Sequence, residues 1–240
     1  MRINEERLGN MLFVTLSDIG TVHKSNGYPN QDAVDFHCTG DSFVLAVADG
    51  VGSCKKADQG AKNVIDSSIK LFHEVRKGSV VFEASVLAEK FLEFWLGFIT
   101  NGRIDDYCTT AKVVIKIGDQ IKALSIGDGF VAISSGDTQV LSPLEESYFA
   151  NETMCLSSRL TVSHFWTADL DLEPSKSYVV FCCTDGVADC ILPGREMQLV
   201  QAIEKDITVG DLRKVLEAFI ADISNYCQDD KTLGVVKYEA

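Results

Sequence analysis

The sequence predicts an α+β protein whose sheets and helices form separate layers. Segments rich in apolar and β-branched residues come in runs, and segments with apolar residues at helical spacing come in pairs between those runs. Strands and helices do not alternate one by one. Such alternation would be typical of a parallel sheet built from βαβ units. With only four prolines, no low-complexity stretch and no repeat of solenoid length, residues 1–240 are expected to form one domain.

The first strands are predicted before residue 50. The segment MLFVTLSD is apolar and β-rich, DAVDFHC alternates, and SFVLAVAD is a nearly continuous apolar strand that ends at Asp49. Apolar residues then recur at helical spacing over about residues 55–76, and Gly78 marks the end of that helix. A second helix is predicted over about residues 80–99, where the aromatic residues indicate core packing rather than a cofactor site.

A second run of strands is predicted in the middle of the chain, from TTAKVVIKIG, QIKALSIGD and FVAISS. Gly118 and Asp119 are typical of a hairpin turn between the first two of these strands. Residues 136–167 are polar and expected to be irregular. SYVVFCCTD then predicts a buried strand that ends at Asp185. Helices over about 195–205 and 211–227 and the strand TLGVVKY complete the chain, with Asp211 near the predicted N-cap of the last helix.

The charge balance limits the partners that the protein can have. The chain carries 22 Lys and Arg residues against 35 Asp and Glu residues, a net charge of −13. No nucleic-acid partner and no anionic membrane surface is expected, because either would require clustered positive charge. A phosphorylated substrate stays open, because bound divalent cations reverse the local sign of a site.

The expected location is the cytoplasm. The apolar run MLFVTL near the N-terminus is too short for a secretory signal, and FLEFWLGFIT, the longest apolar-rich segment, is too short to span a membrane. The eight cysteines form no CxxC pair and most lie in apolar runs, which is typical of buried, reduced thiols.

Aspartates at the ends of apolar segments carry the chemical signal. VLAVADGVG places Asp49 after a strand, and Asp128 and Asp185 stand in the same way in LSIGDG and VVFCCTDGVAD. The acidic pair Asp229-Asp230 precedes the last strand. One Asp-Gly pair alone is typical of a turn. Several carboxylates that lose hydration and repel one another indicate a cation, and oxygen ligands suit Mg²⁺ or Mn²⁺.

Other catalytic classes have no matching pattern in the sequence. The four histidines are not spaced as zinc ligands. There is no phosphate-binding GxxxxGK[ST] loop, no GxSxG segment and no kinase signature set. By the same test, Asp41, Asp119 and Asp137 are interpreted as ordinary turn residues.

Six segments, taken in chain order, resemble a known family. They are SDIGTVHKSNGYPNQDAVDF, LAVADGVGS, CTTAKVVI, LSIGDGFVAI, VVFCCTDGVAD and DDKTLGVV. Together they cover nearly the whole chain, which resembles the PP2C (PPM) family of metal-dependent protein phosphatases in its compact bacterial form. The resemblance implies a four-layer α-β-β-α sandwich, in which two antiparallel sheets lie between helix pairs. It also implies a flap over about residues 136–167, beside the active site.

The resemblance further implies a site for two Mg²⁺ or Mn²⁺ ions. Asp49 resembles the aspartate that bridges both ions, and Gly50 resembles the residue that gives its carbonyl to one of them. Asp185 and Asp229 resemble the other carboxylate ligands of the first ion. Asp128 resembles the ligand of a third, weaker ion that bacterial members bind.

The function that the resemblance implies is hydrolysis of phosphoserine and phosphothreonine in proteins, without a phosphoenzyme. A water that bridges the two ions attacks the phosphorus in line. Asp32 resembles the acid that orders metal-bound water, whereas Thr109 and Thr110 match a strand of the family and are interpreted as structural. The implied partner is a phosphorylated protein, either the target of a serine/threonine kinase or the kinase itself.

The sequence departs from the family where the substrate phosphate binds. The family often has an arginine before the NQD motif, and this chain has His23 and Lys24 there. Both residues are candidates for phosphate binding, and His23 is also a candidate for catalysis, with a structural role in its loop as the alternative. Val51 stands where eukaryotic members have a histidine, and Gln31 stands where many members have an acid that binds the second metal through water.

Two other functions stay open at this point. The missing arginine fits a phosphoprotein-binding regulatory relative with weak turnover, against which the intact Asp49, Asp185 and Asp229 weigh. Hydrolysis of small phosphorylated metabolites is the other alternative. Turnover of p-nitrophenyl phosphate with and without Mn²⁺ tests the first, and a comparison of phosphopeptides with metabolites tests the second.

Overall fold

The computed structural model describes residues 1–143 and 154–240, in which eleven strands form two sheets. In chain order the strands are β1 (Arg2–Leu8), β2 (Met11–Asp18), β3 (Ala33–Thr39), β4 (Ser42–Ala48), β5 (Ala111–Ile117), β6 (Gln120–Ile126), β7 (Phe130–Ser135), β8 (Thr138–Leu141), β9 (Trp166–Asp171), β10 (Tyr178–Cys183) and β11 (Lys231–Tyr238). The first sheet has the order β1-β2-β11-β10-β7-β8, and the second has the order β3-β4-β5-β6-β9. All neighbouring strands are antiparallel.

Helices cover the outer faces of both sheets. These helices are α2 (Ala57–Arg76), α3 (Ala84–Phe98), α5 (Glu196–Asp206) and α6 (Val209–Ile223). Two short helices, α1 (Thr21–Asn26) and α4 (Asp185–Ala188), lie in the segments before β3 and after β10. The helices α2 and α3 pack on the second sheet, and α5 and α6 pack on the first. A third apolar cluster, which includes Phe13, Phe43 and Val180, fills the space between the sheets. The layers are therefore α-β-β-α, as predicted.

The central strands are buried on both faces, which explains why they read as continuous apolar runs. In β4, Leu45 and Val47 face the other sheet, whereas Ala46 and Ala48 face the cluster under α2. Successive side chains of a strand point to opposite faces. Because one face meets a sheet and the other meets helices, every position of β4 after Ser42 is apolar.

The edge strands β1, β8 and β9 and the short helices α1 and α4 are not predicted by the sequence, whereas the edge strand β3 is. The edge strand β1 has mainly exposed polar and charged side chains, so it shows no apolar alternation. The helices α1 and α4 have six and four residues, which is too short for a helical period. The last helix begins at Val209, after Thr208, and not at Asp211, whose carboxylate instead accepts a hydrogen bond from the Thr208 hydroxyl at 2.8 Å.

Two further predictions need correction. The segment 136–167 is not wholly irregular, because β8 pairs with β7 and the beginning of β9 pairs with β6. Residues 144–153 lie outside the described residues, so the flap stays a prediction. Most cysteines are not buried: Cys108, Cys182 and Cys183 are buried, and the other five are partly exposed. None of the described helices is long and apolar enough to cross a bilayer.

Candidate metal centre

Acidic residues from five chain segments meet at one end of the sandwich. Antiparallel pairing places the beginning of one strand beside the end of its neighbour. The end of β10 at Cys183 therefore lies opposite the beginning of β7 at Phe130, and the end of β4 at Ala48 lies opposite the beginning of β3 at Ala33. The acidic residues that flank these strand ends are Asp32, Asp49, Asp128, Asp185 and the Asp229-Asp230 pair.

Three of these carboxylates form a close cluster. One carboxylate oxygen from each of Asp49, Asp128 and Asp185 lies within 4.8 Å of the other two, and all three residues are half-buried. They line a cavity of about 410 Å³ that Asp229 also lines, although Asp229 lies outside the cluster of three. The other residues along this cavity include His23, Gln31, Gly50 and Val51.

Two buried threonines fix the backbone of Asp49. The Asp49 amide donates a hydrogen bond to Thr110 Oγ1 at 3.0 Å. The Asp49 carbonyl accepts hydrogen bonds from Thr109 Oγ1 and from the Thr110 amide, both at 2.8 Å. The structural interpretation of the two threonines is therefore confirmed, and they hold a residue whose own carboxylate is left for the cavity.

The glycines after Asp49 and Asp185 are required by packing. A Cβ atom on Gly50 would lie 2.6 Å from the carbonyl oxygen of Ala57 in α2, and one on Gly186 would lie 2.0 Å from the carbonyl oxygen of Asp230. Only glycine allows such close approaches of two backbones. The two Asp-Gly pairs are thus not exposed turns. At each pair the glycine packs closely on a neighbouring segment and so fixes the position of the aspartate before it. The metal-binding role of the Gly50 carbonyl stays a prediction.

Burial and repulsion from neighbouring carboxylates raise the pKa of Asp49 and of Asp185, which favours their protonated forms when no cation is bound. Burial, followed by the charges of Asp128 and Asp229, raises the pKa of Asp185 to about 7. Burial, followed by the charges of Asp32 and Asp185, raises the pKa of Asp49 well above its usual range. A divalent cation reverses this preference, because it stabilises the charged form of every carboxylate around it.

Asp32 provides an independent sign that the site accepts a polar ligand. It is buried, its carboxyl group contacts that of Asp49, and burial raises the pKa of Asp32 to about 7. Its Oδ2 accepts a hydrogen bond from Thr184 Oγ1 at 3.0 Å. Its Oδ1, like Gln31 Oε1, is buried and receives no hydrogen bond from the described residues. Buried acceptors beside clustered carboxylates fit hydrated divalent cations with oxygen ligands.

Asp230 organises the wall of the cavity that carries His23. Its buried carboxylate accepts hydrogen bonds from the Gly20 amide at 2.6 Å and from the Gln31 amide at 2.8 Å. The same carboxylate lies 2.9 Å from His23 Nδ1. When Nδ1 carries a proton, it donates to Asp230, and Nε2 is then the ring nitrogen available to the cavity. His23 lines the cavity, whereas Lys24 is exposed and does not belong to its lining in the described chain.

The sequence predicts which acidic segments form the site, but it does not distinguish the roles of the adjacent Asp229 and Asp230. It predicts a ligand role for Asp229 and none for Asp230, and the structure shows that Asp230 holds three groups of the neighbouring loop. Only the register of β11 decides which of two consecutive side chains points into the protein. Two adjacent acids before a strand therefore indicate a metal site. Which acid faces the cavity and which one binds the neighbouring loop is known only from the structure.

Comparison with known proteins agrees with this geometry. The sequence model of the family described as protein phosphatase 2C matches residues 19–231. The fold is similar to that of RsbX solved with magnesium, with a TM-score of 0.67 and 14% identity over 99% of this chain and 100% of RsbX. No curated protein sequence matches the chain.

Two serine/threonine phosphatases have similar folds. The catalytic domain of PstP, solved with two manganese ions, matches with a TM-score of 0.61 and 14% identity, over 95% of this chain and 97% of that one. The S. agalactiae serine/threonine phosphatase matches with a TM-score of 0.65 and 18% identity, over 95% of this chain and 100% of that one. At these identities the structural matches establish the fold.

Removing one charge from the cluster should stabilise the metal-free protein. Asp49→Asn keeps the shape of the side chain and removes the repulsion that raises the pKa of Asp49. We expect a higher melting temperature than wild type in EDTA, and no further rise when Mn²⁺ is added. Asp137→Asn, in an exposed turn, is the control and should respond to Mn²⁺ as wild type does. Thermal unfolding would refute the cluster if Asp49→Asn kept the full Mn²⁺-induced shift.

Metal affinity should fall as the pH is lowered through neutrality. Ligands must lose their protons to bind a cation, and the pKa of Asp185 is about 7 in the metal-free protein. Between pH 8 and pH 6, displacement of one such proton weakens apparent Mn²⁺ affinity about tenfold. Isothermal titration at both pH values measures this change, together with proton release on binding. Equal affinities at the two pH values would contradict the raised pKa.

Proposed function

This chain belongs to the protein phosphatase 2C family, and on that premise we propose that it hydrolyses phosphoserine and phosphothreonine in proteins with the aid of two Mg²⁺ or Mn²⁺ ions. The observation that carries the proposal is the cluster of Asp49, Asp128 and Asp185, whose carboxylate oxygens lie within 4.8 Å of one another. The substrate that we propose is a phosphorylated protein, either the target of a serine/threonine kinase or the kinase itself.

The proposed ligands follow the placement of the carboxylates. Asp49 would hold both ions, Gly50 would offer its carbonyl to one of them, and Asp185 and Asp229 would complete the set around the other. Asp128, which lies within the close cluster, would hold a third, weaker ion. When bound, such ions lower the pKa of a coordinated water and offset the charge that develops on the phosphoryl oxygens.

Asp32 is proposed to orient the attacking water. Its Oδ2 is fixed by the Thr184 hydroxyl, which leaves the buried Oδ1 as an acceptor with no partner among the described residues. A water that satisfies this acceptor would lie between Asp32 and the cluster, because Asp32 itself does not line the cavity. The contact between the carboxyl groups of Asp32 and Asp49 places Asp32 beside one member of the cluster.

His23 is proposed to contact the phosphate and to give a proton to the departing serine or threonine oxygen. Proton donation requires a group of fixed orientation that reaches the reacting atoms. Asp230 fixes the ring through Nδ1, and His23 lines the same cavity as Asp49 and Asp185. The exposed position of Lys24 favours His23 over Lys24 for contact with the phosphate.

Phosphate release from three kinds of substrate tests the proposed function. We expect hydrolysis of p-nitrophenyl phosphate and of phosphoserine and phosphothreonine peptides with Mn²⁺ or Mg²⁺, and none in EDTA. The value of kcat/KM should be higher for the phosphopeptides than for phosphorylated metabolites. Asp185→Asn should lower kcat/KM by about 100-fold or more, because a ligand of the proposed site loses its charge. Asp137→Asn is again the matched control.

The same assay identifies the alternatives. Tight binding of phosphopeptides with no metal-dependent turnover of any substrate would make the protein a binding relative. Faster turnover of one class of metabolite than of every phosphopeptide would make it a metabolite phosphatase. Either result would overturn the proposed substrate class while leaving family membership unchanged.

Replacement of His23 should affect substrates according to their leaving groups. His23→Ala should slow a phosphoserine peptide by about 100-fold, because a serine alkoxide needs a proton to depart. It should slow p-nitrophenyl phosphate much less, since nitrophenolate leaves without a proton. Asp230→Asn should show the same selective loss, and Lys24→Ala in the same helix is the control. Equal losses on both substrates would instead assign His23 to phosphate binding alone.

A further inference from the structure

Two thiols outside the carboxylate cluster lie between the segments that carry Asp185 and Asp229. Cys190 follows α4, the helix that begins at Asp185, and Cys227 lies two residues before Asp229. Both thiols donate to one carbonyl oxygen, that of Gly186, at 3.5 Å from Cys190 and 3.1 Å from Cys227. The two thiols are also close enough to interact with each other, and both are partly exposed.

We propose that Cys190 and Cys227 are a modification site, at which a peroxide forms an intramolecular disulfide that weakens cation binding at the neighbouring carboxylates. The disulfide follows from the pair itself. Its effect on cations rests on the metal-binding roles proposed above for Asp185 and Asp229, so the two parts are tested by separate measurements.

The chemistry balances with a peroxide as the oxidant. One cysteine of the pair, as its thiolate, attacks hydrogen peroxide, the O–O bond breaks, and a sulfenic acid and hydroxide form. The sulfur of the other cysteine then displaces the sulfenic oxygen, which leaves as water with that cysteine's proton, and the S–S bond forms. The two sulfurs lose two electrons in total and one peroxide molecule gains them. A thiol reductant reverses the reaction by exchange through a mixed disulfide.

Geometry and exposure distinguish this pair from the other cysteines. A disulfide requires sulfurs about 2.05 Å apart on Cβ atoms about 3.8 Å apart, so thiols already in contact need only a small movement. Cys108 contacts both Cys54 and Cys155, but it is buried. Both thiols of this pair are partly exposed, so either one can be the first to meet a peroxide.

Oxidation would act on the Asp185 segment through Gly186. In the reduced protein, the Gly186 carbonyl accepts from both S–H groups. A disulfide has no S–H group, so this carbonyl loses both donors at once. Gly186 also packs closely on the Asp230 carbonyl, and its amide donates to Asp185 Oδ1 at 2.7 Å. A shift at Gly186 is therefore passed to Asp185 and to the segment that precedes β11.

The test compares the wild-type chain with Cys190→Ser, Cys227→Ser and a control, Cys38→Ser, which replaces a partly exposed cysteine on β3. Each protein is treated with hydrogen peroxide, free thiols are alkylated, and unreduced peptides are mapped by mass spectrometry. Mn²⁺ affinity is measured by titration before oxidation, after it, and after reduction with dithiothreitol.

We expect a peptide cross-linked through Cys190 and Cys227 as the main product in wild type and in Cys38→Ser. Mn²⁺ affinity should fall about tenfold on oxidation, as it does when groups that support metal ligands are lost, and should recover on reduction. Both serine variants at the pair should keep their affinity under peroxide.

Three results would overturn the proposal. These are a map without the Cys190–Cys227 peptide, a cross-linked protein with unchanged Mn²⁺ affinity, and an equal loss of affinity in the two serine variants. Failure of the reduced wild type to bind Mn²⁺ would instead contradict the proposed metal site, and the peptide map would still decide whether the disulfide forms.

Discussion

The repulsion between carboxylates gathered at one end of the sandwich is the constraint on which the site depends. The fold does not avoid this repulsion. Antiparallel pairing places the aspartates beside one another, and the close packing of Gly50 on α2 and of Gly186 on Asp230 prevents the segments from spreading apart. The charge must therefore be offset by protons, as the raised pKa of Asp185 and Asp49 shows, or by cations. A site that holds protons at neutral pH is ready to exchange them for metal.

Buried lysines help the scaffold to hold these segments. Lys112 donates to the Ile126 and Gly127 carbonyls, at 2.9 and 2.7 Å, and so fixes the turn that carries Asp128. Lys231 donates at 2.8 Å to the carbonyl of Asp229. A buried ammonium is stable only when its donors are satisfied, and here backbone carbonyls satisfy them. The two lysines thus fix the backbone on which Asp128 and Asp229 stand, and both of these residues line the cavity.

The sequence predicts those strands and helices whose burial requires apolar residues at a regular spacing or in an unbroken run. β4 and β10 are covered on both faces, and α2 and α6 are covered on one, so their apolar residues define them. β1 lies at an edge and has little to bury, so no period appears. The aspartates after the strands are predictable for the same reason, because each ends an apolar run. The separate tasks of Asp229 and Asp230 depend on side-chain direction, which two adjacent acids do not encode.

The chain departs from the family at two positions along the cavity, and the two departures together replace one histidine and one arginine by a single histidine. The chain has Val51 where eukaryotic relatives have a histidine, and it has His23 where an arginine often stands; both residues line the cavity. Arginine binds phosphate firmly but cannot release a proton, because its guanidinium stays charged at any physiological pH. Histidine binds phosphate less firmly than arginine does, but it can supply a proton. In the proposed mechanism, cations held by the aspartates would offset the charge of the phosphoryl group, so the loss of an arginine would cost less there than the loss of every proton donor. Asp230 makes the exchange workable, since a histidine on a six-residue surface helix needs a buried partner to keep its ring in the cavity.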